Sequence, residues 1–274
     1  MTRTALIAGQ GALPVALADA LASAGEAPVL AEMDGFPSDV RGVEPIRFRV
    51  ERLVPFLDAL AGQGVARVVF GGAMRRPQIE AELIDPRTAT LVPRLTGAIR
   101  SGDDALLRTV IAIFEDWDFE VVGAAEVAPG LVPGPGVLCG APTDADRSDA
   151  ARAAAIVADL GRLDIGQGAV VAQGLCLAVE TLPGTDAMLG FVAEKAKGLR
   201  PDPKGAHGVF YKAPKPGQDR RIDLPTIGTG TVRNAAKAGL AGIAWEAGGV
   251  ILLDRAAMIA EAEARGLFLW AREP

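Results

Sequence analysis

The sequence contains a single histidine, His207, among 274 residues. Zinc motifs such as HExxH need two histidines and are excluded, and a Ser-His-Asp triad would depend on this one side chain. The two cysteines, Cys139 and Cys176, lie far apart and form no CxxC motif. We therefore predict neither a disulfide framework nor a zinc cluster, and the reducing cytoplasm is the compartment that fits best.

Net positive charge and long apolar runs are also missing. The formal net charge is −6 and the pI is about 5.0, whereas binding to nucleic acid needs a basic face, so no nucleic-acid partner is expected. The best candidate for a membrane span, residues 238–253, contains Glu246 and is shorter than the ~20 residues that cross a bilayer. The chain is not expected to be integral to a membrane.

Half of the residues are apolar, which is enough for one large domain or two ordinary ones. Residues 1–25 combine Arg3, an apolar run and small residues, as a signal peptide does, but Gln10, Gly11 and Pro14 interrupt the apolar run. A strand, a glycine turn and a helix explain this segment better.

The first half of the chain alternates short apolar runs with amphipathic segments. The runs Thr4–Gly9 and Ala66–Gly72 are the best candidates for buried strands, and residues 45–50 and 119–124 are weaker ones. This alternation predicts an α/β fold with a parallel, doubly wound sheet. Residues 128–146 are rich in proline and glycine, so we predict a domain over 1–130, a linker over 131–145 and a second domain over 146–274.

The second domain is predicted to be mixed α/β. A helix follows the linker, with Asp146 or Ser148 as its cap, and ends near Gly161. Two short strands then turn at Gln173-Gly174, two further helices follow, and the chain closes with strand, strand, helix and strand.

Two glycine turns follow predicted strands, at Gly9-Gln10-Gly11-Ala12-Leu13-Pro14 and at Gly71-Gly72-Ala73-Met74. Backbone N–H groups at such turns and at a helix start can bind phosphate, and carboxyl ends of parallel strands line one crevice. A purely structural turn explains either motif as well. Pro14 replaces the third glycine of the dinucleotide fingerprint, which disfavours NAD.

Acidic residues occur at two further positions. Asp103 and Asp104 precede a strongly periodic helix, and Thr185 and Asp186 stand near the start of another. Such residues commonly cap helices, and the alternative is contact with a ligand or a metal. Glu180 ends a predicted strand before a turn, where its carboxylate could face a cleft.

The segment KAPKPGQDRRIDLPTIGTG, residues 212–230, reverses the charge of an otherwise acidic chain. Together with the residues before it, it carries the cations Lys195, Lys197, Arg200, Lys204, Lys212, Lys215, Arg220 and Arg221. A solvated basic loop is one explanation, and an anionic ligand such as pyrophosphate is the other. Asp219 and Asp223 lie among these cations and could hold Mg²⁺ or orient water. This combination predicts hydrolysis of a phosphoanhydride.

These motifs resemble the UDP-2,3-diacylglucosamine pyrophosphatases of the alphaproteobacterial lipid A pathway, the LpxI family. The resemblance runs through LIAGQGALP, GDDALL, GRLDIGQGAVV, LAVETLPGTDAML, KAPKPGQDRRIDLPTIGTGTV and AGLAGIAWEAG. It implies Mg²⁺-dependent hydrolysis of UDP-2,3-diacylglucosamine to UMP and 2,3-diacylglucosamine 1-phosphate (lipid X), with water attacking the phosphorus nearer the sugar. It also implies a Rossmann-like N-terminal domain, an unusual α/β C-terminal domain and a homodimer.

The resemblance places the critical carboxylate of the DLPTIG motif at Asp223, as a metal ligand or as a general base. Ligation fits better, because an aspartate with its ordinary pKa is a weak base at neutral pH. Predicted ligands of Mg²⁺ or Mn²⁺ are Asp223, Asp219 and Glu180. Predicted substrate-binding residues are Gly11, Ala12, Leu13, Gly71, Gly72, Asp103, Asp104, Thr185, Asp186, Lys212, Lys215, Gln218 and Thr226. Phe210 and Tyr211 stand where the family is expected to have aliphatic residues.

Two other functions remain open from the residues. A non-catalytic protein could bind a nucleotide-sugar or lipid phosphate without cleaving it, and an NAD-linked reductase would bind a nicotinamide cofactor. The predicted substrate is a lipid, so transient contact with the inner-membrane surface is expected of an otherwise cytoplasmic protein.

Overall fold

A computed structural model describes residues 3–75, 78–100 and 103–274. They form two compact units. The first contains the described residues up to Pro129 together with the short segment Asp219–Asp223, and the second contains Gly130–Gln218 and Leu224–Pro274. The chain therefore changes unit inside the segment rich in proline and glycine, and again on each side of Asp219–Asp223.

The first unit contains a five-stranded parallel sheet. The strands are β1 (Arg3–Ala8), β2 (Val29–Met33), β3 (Ile46–Phe48), β4 (Val65–Gly71) and β5 (Glu120–Val122). They lie in the order β3-β2-β1-β4-β5, which matches the first five strands of a doubly wound sheet. The predicted α/β class is confirmed.

Helices of the first unit lie between β1 and β2, between β3 and β4 and between β4 and β5, and one follows β5. They are α1 (Ala12–Ser23), α2 (Leu53–Gly62), α3 (Val92–Arg100), α4 (Asp103–Glu115) and α5 (Ala124–Val127), with 3₁₀ turns at Val50–Arg52, Ala81–Leu83 and Thr88–Leu91. One core cluster joins α2, α3 and α4 to the sheet, and Ile222 from the segment Asp219–Asp223 is part of it. This apolar contact explains why the short segment groups with the first unit.

Strand β2 was not predicted from the sequence. Its five residues are all buried, as in a parallel sheet covered on both faces, but they include Glu32. The Glu32 carboxylate accepts hydrogen bonds from the Ser38 backbone N–H at 2.9 Å and the Ser38 hydroxyl at 2.7 Å. These bonds compensate the burial of a carboxylate that breaks the apolar pattern.

The second unit contains a six-stranded mixed sheet. Its strands are β6 (Gly136–Cys139), β7 (Gly168–Ala172), β8 (Leu175–Val179), β9 (Val209–Lys212), β11 (Gly242–Glu246) and β13 (Phe268–Arg272). They lie in the order β6-β13-β11-β9-β7-β8. Strands β9, β11 and β13 are parallel, whereas β6 and the β7-β8 hairpin run antiparallel to their neighbours. Outside this sheet, β10 (Thr226–Ile227) pairs with β12 (Ile251–Leu252).

Helices cover both faces of this mixed sheet. Helix α6 (Asp144–Arg162) packs on one face through Ala150, Ala153 and Val157. The opposite face is covered by α7 (Gly184–Phe191), α8 (Thr229–Lys237) and α9 (Arg255–Ala264), with Phe210 and Trp245 from the strands in the shared core. A π-helical turn at Val192–Ala196 and 3₁₀ turns at Pro129–Leu131 and Lys197–Leu199 complete the helical segments. The predicted hairpin at Gln173-Gly174 and the closing strand-strand-helix-strand order are both confirmed.

Two local predictions differ from the structure at the start of the second unit. Residues 136–139, expected to be linker, form β6 and pair with β13, so the many prolines and glycines flank a short edge strand. The cap of α6 is Thr143 and not Asp146 or Ser148. The Asp146 N–H donates to Thr143 Oγ1 at 3.2 Å, and the Asp146 carboxylate accepts from the Thr143 N–H at 2.9 Å, forming a reciprocal capping box.

Both cysteines are free, Cys139 buried and Cys176 exposed. Among the described residues, helices long and apolar enough to cross a bilayer are absent.

Candidate functional site

The predicted site residues are divided between the two units. The first unit holds Gly11, Ala12, Leu13, Gly71, Gly72, Asp103, Asp104, Asp219 and Asp223, and the second holds Glu180, Thr185, Asp186, Lys212, Lys215, Gln218 and Thr226. The backbone turns are therefore found in the first unit, and the buried side-chain cluster in the second.

The two glycine turns of the first unit lie against each other at the carboxyl ends of β1 and β4. Gln10 and Ala73 exchange backbone hydrogen bonds of 3.0 and 2.9 Å, and the Gly9 N–H donates to the Gly71 carbonyl at 2.8 Å. A Cβ at Gly72 would lie 2.7 Å from the Gly9 carbonyl carbon, so the close approach requires glycine there. The two turns therefore lie side by side, and their predicted contact with a ligand stays a prediction.

The start of α1 has a different backbone environment from these paired turns. Gly11 is the N-cap residue with φ of 96°, and a Cβ built on it would have open space around it. Glycine has no side chain to cap the helix, so the first N–H groups of α1, at Ala12 and Leu13, are the kind that accept an anion. This placement supports the predicted phosphate contact without testing it.

Asp103 and Asp104 are the first residues of α4, as predicted for capping positions. The Asp104 carboxylate pairs with Arg108 one turn later on the same helix. The Asp103 side chain lies outside the described part of the structure, so its predicted role stays a prediction.

Asp219 is held by Arg221 in a network of the first unit. Arg221 Nη2 donates to Asp219 Oδ2 at 2.7 Å and Arg221 Nε donates to Oδ1 at 3.0 Å, while Nη1 donates to Glu115 at 2.6 Å. Chiefly because of the hydrogen bonds from Arg221, the pKa of Asp219 is lowered from its usual value. The carboxylate predicted to bind metal is thus already neutralised by a guanidinium.

Asp223 occupies a backbone conformation that is uncommon outside glycine, with φ of 60°. It is exposed, but its neighbours Ile222 and Leu224 are each only 8% exposed, and Pro225 is buried too. The buried neighbours fix the backbone from which the carboxylate projects. The role predicted for Asp223 stays a prediction.

In the second unit, Lys212 and Glu180 form a buried ion pair. Lys212 Nζ lies 3.3 Å from Glu180 Oε2 and donates to Thr185 Oγ1 at 2.5 Å, and the Thr185 hydroxyl donates to Glu180 Oε1 at 2.9 Å. Lys212 is 5% exposed and Glu180 9%. The Glu180 carboxylate, predicted to bind metal, is therefore engaged by an ammonium and a hydroxyl in this structure.

Gly168 makes room for this ion pair, and the sequence analysis did not identify it. It pairs with Lys212 in the β7-β9 ladder, and its carbonyl accepts from the Glu180 N–H at 2.8 Å. A Cβ at Gly168 would lie 2.7 Å from Glu180 Oε2 and 2.9 Å from the Phe210 ring. The sequence signal was a glycine at the start of an apolar strand, since glycine in a strand often marks close approach of other groups.

The remaining predicted residues of the second unit make local polar contacts. Asp186 accepts from the Asn234 amide at 2.9 Å, and Lys215 pairs with Asp164 at 2.5 Å. Gln218 Oε1 accepts from Gln167 Nε2 and from the Lys215 backbone N–H, both at 3.0 Å. Thr226 begins β10 and donates to the Leu224 carbonyl at 3.4 Å. These bonds shape the loop after β9, where ligands of α/β sheets commonly bind.

Much of the positive charge predicted to bind an anion is compensated within the protein. Lys212 and Lys215 pair with carboxylates, Arg221 with two of them, and the Arg200 guanidinium donates to the carbonyls of His207 and Ala238. The sequence could not show this, because the partners lie up to 106 residues away from the cations.

A preassembled metal centre is not seen among the described residues, which contain no group of three His, Cys, Asp or Glu side chains suited to a metal ion. Of the predicted ligands, Asp219 and Glu180 are committed to cations. Mg²⁺ is commonly held by one or two carboxylates plus substrate phosphates. Its ligation by Asp223 stays a prediction.

Comparison with known proteins identifies the family. The model of the LpxI N-terminal domain matches residues 3–131 and that of the LpxI C-terminal domain matches residues 134–270. The chain is 42% identical over 276 residues to the UDP-2,3-diacylglucosamine pyrophosphatase LpxI of Caulobacter vibrioides, covering 100% of this chain and 99% of that protein. By its name that relative is an enzyme acting on a pyrophosphate, the class predicted here. The chain belongs to the LpxI family, as its motifs indicated.

Proposed function

We propose that this chain hydrolyses UDP-2,3-diacylglucosamine to UMP and 2,3-diacylglucosamine 1-phosphate (lipid X) in lipid A synthesis. The observation that carries the proposal is the end-to-end similarity to a relative named for this substrate. Two independent features support it: the helix start at Gly11, whose first N–H groups have no side-chain cap, and the exposed Asp223 between two buried neighbours.

In the proposed reaction, a water oxygen bonds to the phosphorus nearer the sugar. The bond from that phosphorus to the bridging oxygen breaks, and UMP leaves with the bridging oxygen. The water loses a proton to solvent or to a nearby base. Regiochemistry of this kind places the new oxygen in the lipid phosphate and not in UMP.

We propose that Asp223 holds Mg²⁺ together with substrate phosphate oxygens. When bound, the ion would supply charge neutralisation for the pyrophosphate during bond cleavage. The chain itself would contribute the carboxylate, on a backbone flanked by the buried side chains of Ile222 and Leu224. The first N–H groups of α1 would bind a phosphate, and Mn²⁺ could replace Mg²⁺.

The test is turnover of the pure full-length protein in ¹⁸O-labelled water, followed by phosphorus NMR of the products. We expect UMP without label and the lipid phosphate with label, only when Mg²⁺ is added. Label in UMP would reverse the proposed regiochemistry. Tight binding of intact substrate with no products after prolonged incubation with metal would instead show a binding protein.

The family resemblance also leads us to propose a homodimer in the cytoplasm that contacts the inner-membrane surface transiently to collect its lipid substrate. Analytical ultracentrifugation would show twice the chain mass of 28.3 kDa. Flotation with liposomes would show weak, reversible binding. A monomeric protein that does not bind liposomes would contradict both the homodimer and the membrane contact.

A further inference from the structure

Part of the positive charge before β9 is not used by the candidate site. Residues 191–204 carry four cations against two carboxylates, in a chain whose net charge is −6. Within the part of the chain that the structure describes, the ammonium groups of Lys195 and Lys204 form no ion pair, and Arg200 donates to backbone carbonyls, which carry no charge. This segment therefore keeps positive charge that other parts of the chain neutralise.

The same segment exposes large apolar side chains beside these cations. Phe191 ends α7, and the π-helical and 3₁₀ turns continue the chain to Leu199. Phe191, Lys195 and Leu199 are all exposed and lie four residues apart, whereas Val192 and Ala196 are buried. Side chains at this spacing share one side of a helical segment. The outer side thus carries a phenylalanine that is 51% exposed, a lysine, and a leucine that is 65% exposed.

The tip of the β7-β8 hairpin adjoins this segment. Gln173 Nε2 donates to the carbonyls of Asp202 and Ala206 at 2.7 and 3.1 Å, and the Asp202 N–H donates to Gln173 Oε1 at 2.9 Å. Leu175, which follows the hairpin turn, is 47% exposed. The surface formed here is named the apolar-basic face, and it consists of Leu175, Phe191, Lys195, Leu199 and Lys204.

The composition of the apolar-basic face favours one kind of partner. Single exposed apolar side chains are normal, and lysine is depleted where proteins bind one another. Leucine and phenylalanine next to lysine are instead typical of surfaces that lie in the boundary between lipid head groups and acyl chains. Anionic lipids attract the ammonium groups, and the long stem of lysine lets its charge stay among the head groups while apolar neighbours are buried.

We infer that the apolar-basic face docks on the surface of an anionic lipid bilayer. Phe191 and Leu199 enter the head-group boundary, and Lys195 and Lys204 contact lipid phosphates. This inference rests on the membrane contact of the proposed function, because a diacylated substrate has to be collected from a lipid surface. It adds which side of the second unit makes that contact.

The test measures co-sedimentation of the full-length protein with two kinds of vesicle, pure phosphatidylcholine and phosphatidylcholine mixed with phosphatidylglycerol. The variants are Lys195→Gln and Leu199→Ser. The control for charge is Arg255→Gln, at an exposed residue that starts α9, since α9 packs near β6 at the other edge of the sheet from β8. The control for the apolar side chain is Leu163→Ser, since Leu163 is 71% exposed and follows α6 on the opposite face of the sheet.

The wild type should bind the mixed vesicles more tightly than pure phosphatidylcholine, and added salt should weaken that binding. Lys195→Gln should lower the affinity for mixed vesicles about fivefold, the contribution of one cation near an anionic surface. Leu199→Ser should lower it about tenfold, because less apolar surface leaves water. Arg255→Gln and Leu163→Ser should bind as the wild type does.

Equal losses in Lys195→Gln and Arg255→Gln would show attraction to the whole protein and overturn the inference. Unchanged binding in both Lys195→Gln and Leu199→Ser would overturn it too. A dimer that dissociates in Leu199→Ser without any change in vesicle binding would assign the face to a second copy instead.

Assays of the wild type separate this inference from the proposed hydrolysis. Cleavage of detergent-dispersed substrate by a wild type that binds neither kind of vesicle would overturn the apolar-basic face and leave the hydrolysis standing. Vesicle binding that depends on Lys195 and Leu199, without cleavage of that substrate, would support the face and overturn the hydrolysis.

Discussion

The ion pairs of Arg221 in the first unit are partly exposed, whereas the Lys212–Glu180 pair in the second is buried. In the first, Arg221 retains 38% of its side-chain exposure and pairs with Asp219 at 20% and Glu115 at 44%. In the second, Lys212 and Glu180 retain 6% and 12%. Exposed pairs contribute about 0–1 kcal/mol, whereas breaking a buried pair costs about 3–5 kcal/mol.

The difference in burial suggests different roles for the two groups of charges. Charges of the segment Asp219–Asp223 can exchange a protein partner for a ligand at small cost, because water already solvates part of them. Lys212 and Glu180 cannot separate without leaving a buried charge unpaired. Catalytic substitutions should therefore change activity in the first group and stability in the second.

The largest expected effect is that of Asp223→Asn on turnover. Loss of the carboxylate should lower kcat about 10³-fold, within the range for removal of a key catalytic or charge-stabilising group, while the free energy of unfolding changes by less than about 0.5 kcal/mol. Asparagine keeps the size and also tolerates the left-handed backbone of φ 60°. The measurements are steady-state kinetics with added Mg²⁺ and urea unfolding.

Asp118→Asn is the control for that prediction. Asp118 is an exposed aspartate of the first unit with the same φ of 60°, so it separates the backbone effect from the carboxylate effect. It should retain wild-type kcat. Normal turnover in Asp223→Asn would remove Asp223 from the mechanism.

The second effect is on stability, through Lys212→Met. Methionine matches the length of lysine but leaves the Glu180 carboxylate buried without its ammonium, so unfolding should become easier by about 3–5 kcal/mol. Adding Glu180→Gln to this variant should recover at least half of the loss, because the buried group is then neutral. Chemical denaturation of the wild type and these two variants measures the effect, and a cost below about 1 kcal/mol for Lys212→Met would place the pair in the same class as the exposed ones.

Gly168→Ala should have a smaller effect on the same cluster. The added methyl group would lie 2.7 Å from Glu180 Oε2 and 2.9 Å from the Phe210 ring, and such overpacking costs about 1–3 kcal/mol. Gly190→Ala in α7 is the control, since a Cβ there has open space and alanine favours helix. Thermal unfolding should rank Gly168→Ala below the wild type and Gly190→Ala at or above it, and equal losses in both would show that the cluster can relax.

The smallest expected effect is the pH dependence carried by Asp219. Arg221 lowers the folded-state pKa of Asp219. The stabilisation that Asp219 adds to the free energy of unfolding is therefore present above the unfolded pKa of about 4, and it is lost as pH falls through the folded-state pKa. Asp219→Asn should cost about 0.5–1 kcal/mol at neutral pH, and the difference from wild type should shrink in acid. The free energies of unfolding of the wild type and Asp219→Asn, measured across this pH range, test the prediction. A difference between them that grows in acid would contradict a lowered pKa for Asp219.

The motif around Asp223 and the main strands of both units were predictable for a local reason. Strands such as β1 and β4 are short apolar runs next to glycine turns, and this pattern is complete within a few neighbouring residues. Strand β2 was missed because Glu32 breaks the pattern, and β6 because its flanking prolines and glycines suggested a linker. In both cases the missing information was a partner elsewhere in the chain.

By itself, the sequence determined the α/β class and the family, since both are written in local patterns and motif spacing. Only the tertiary structure decided which charges are paired. Lys212 meets Glu180 across Gly168 because β9, β7 and β8 are neighbours in the sheet, and Arg221 meets Glu115 from 106 residues away. Burial and pairing depend on which segments become adjacent on folding, a property that the order of residues along the chain does not display.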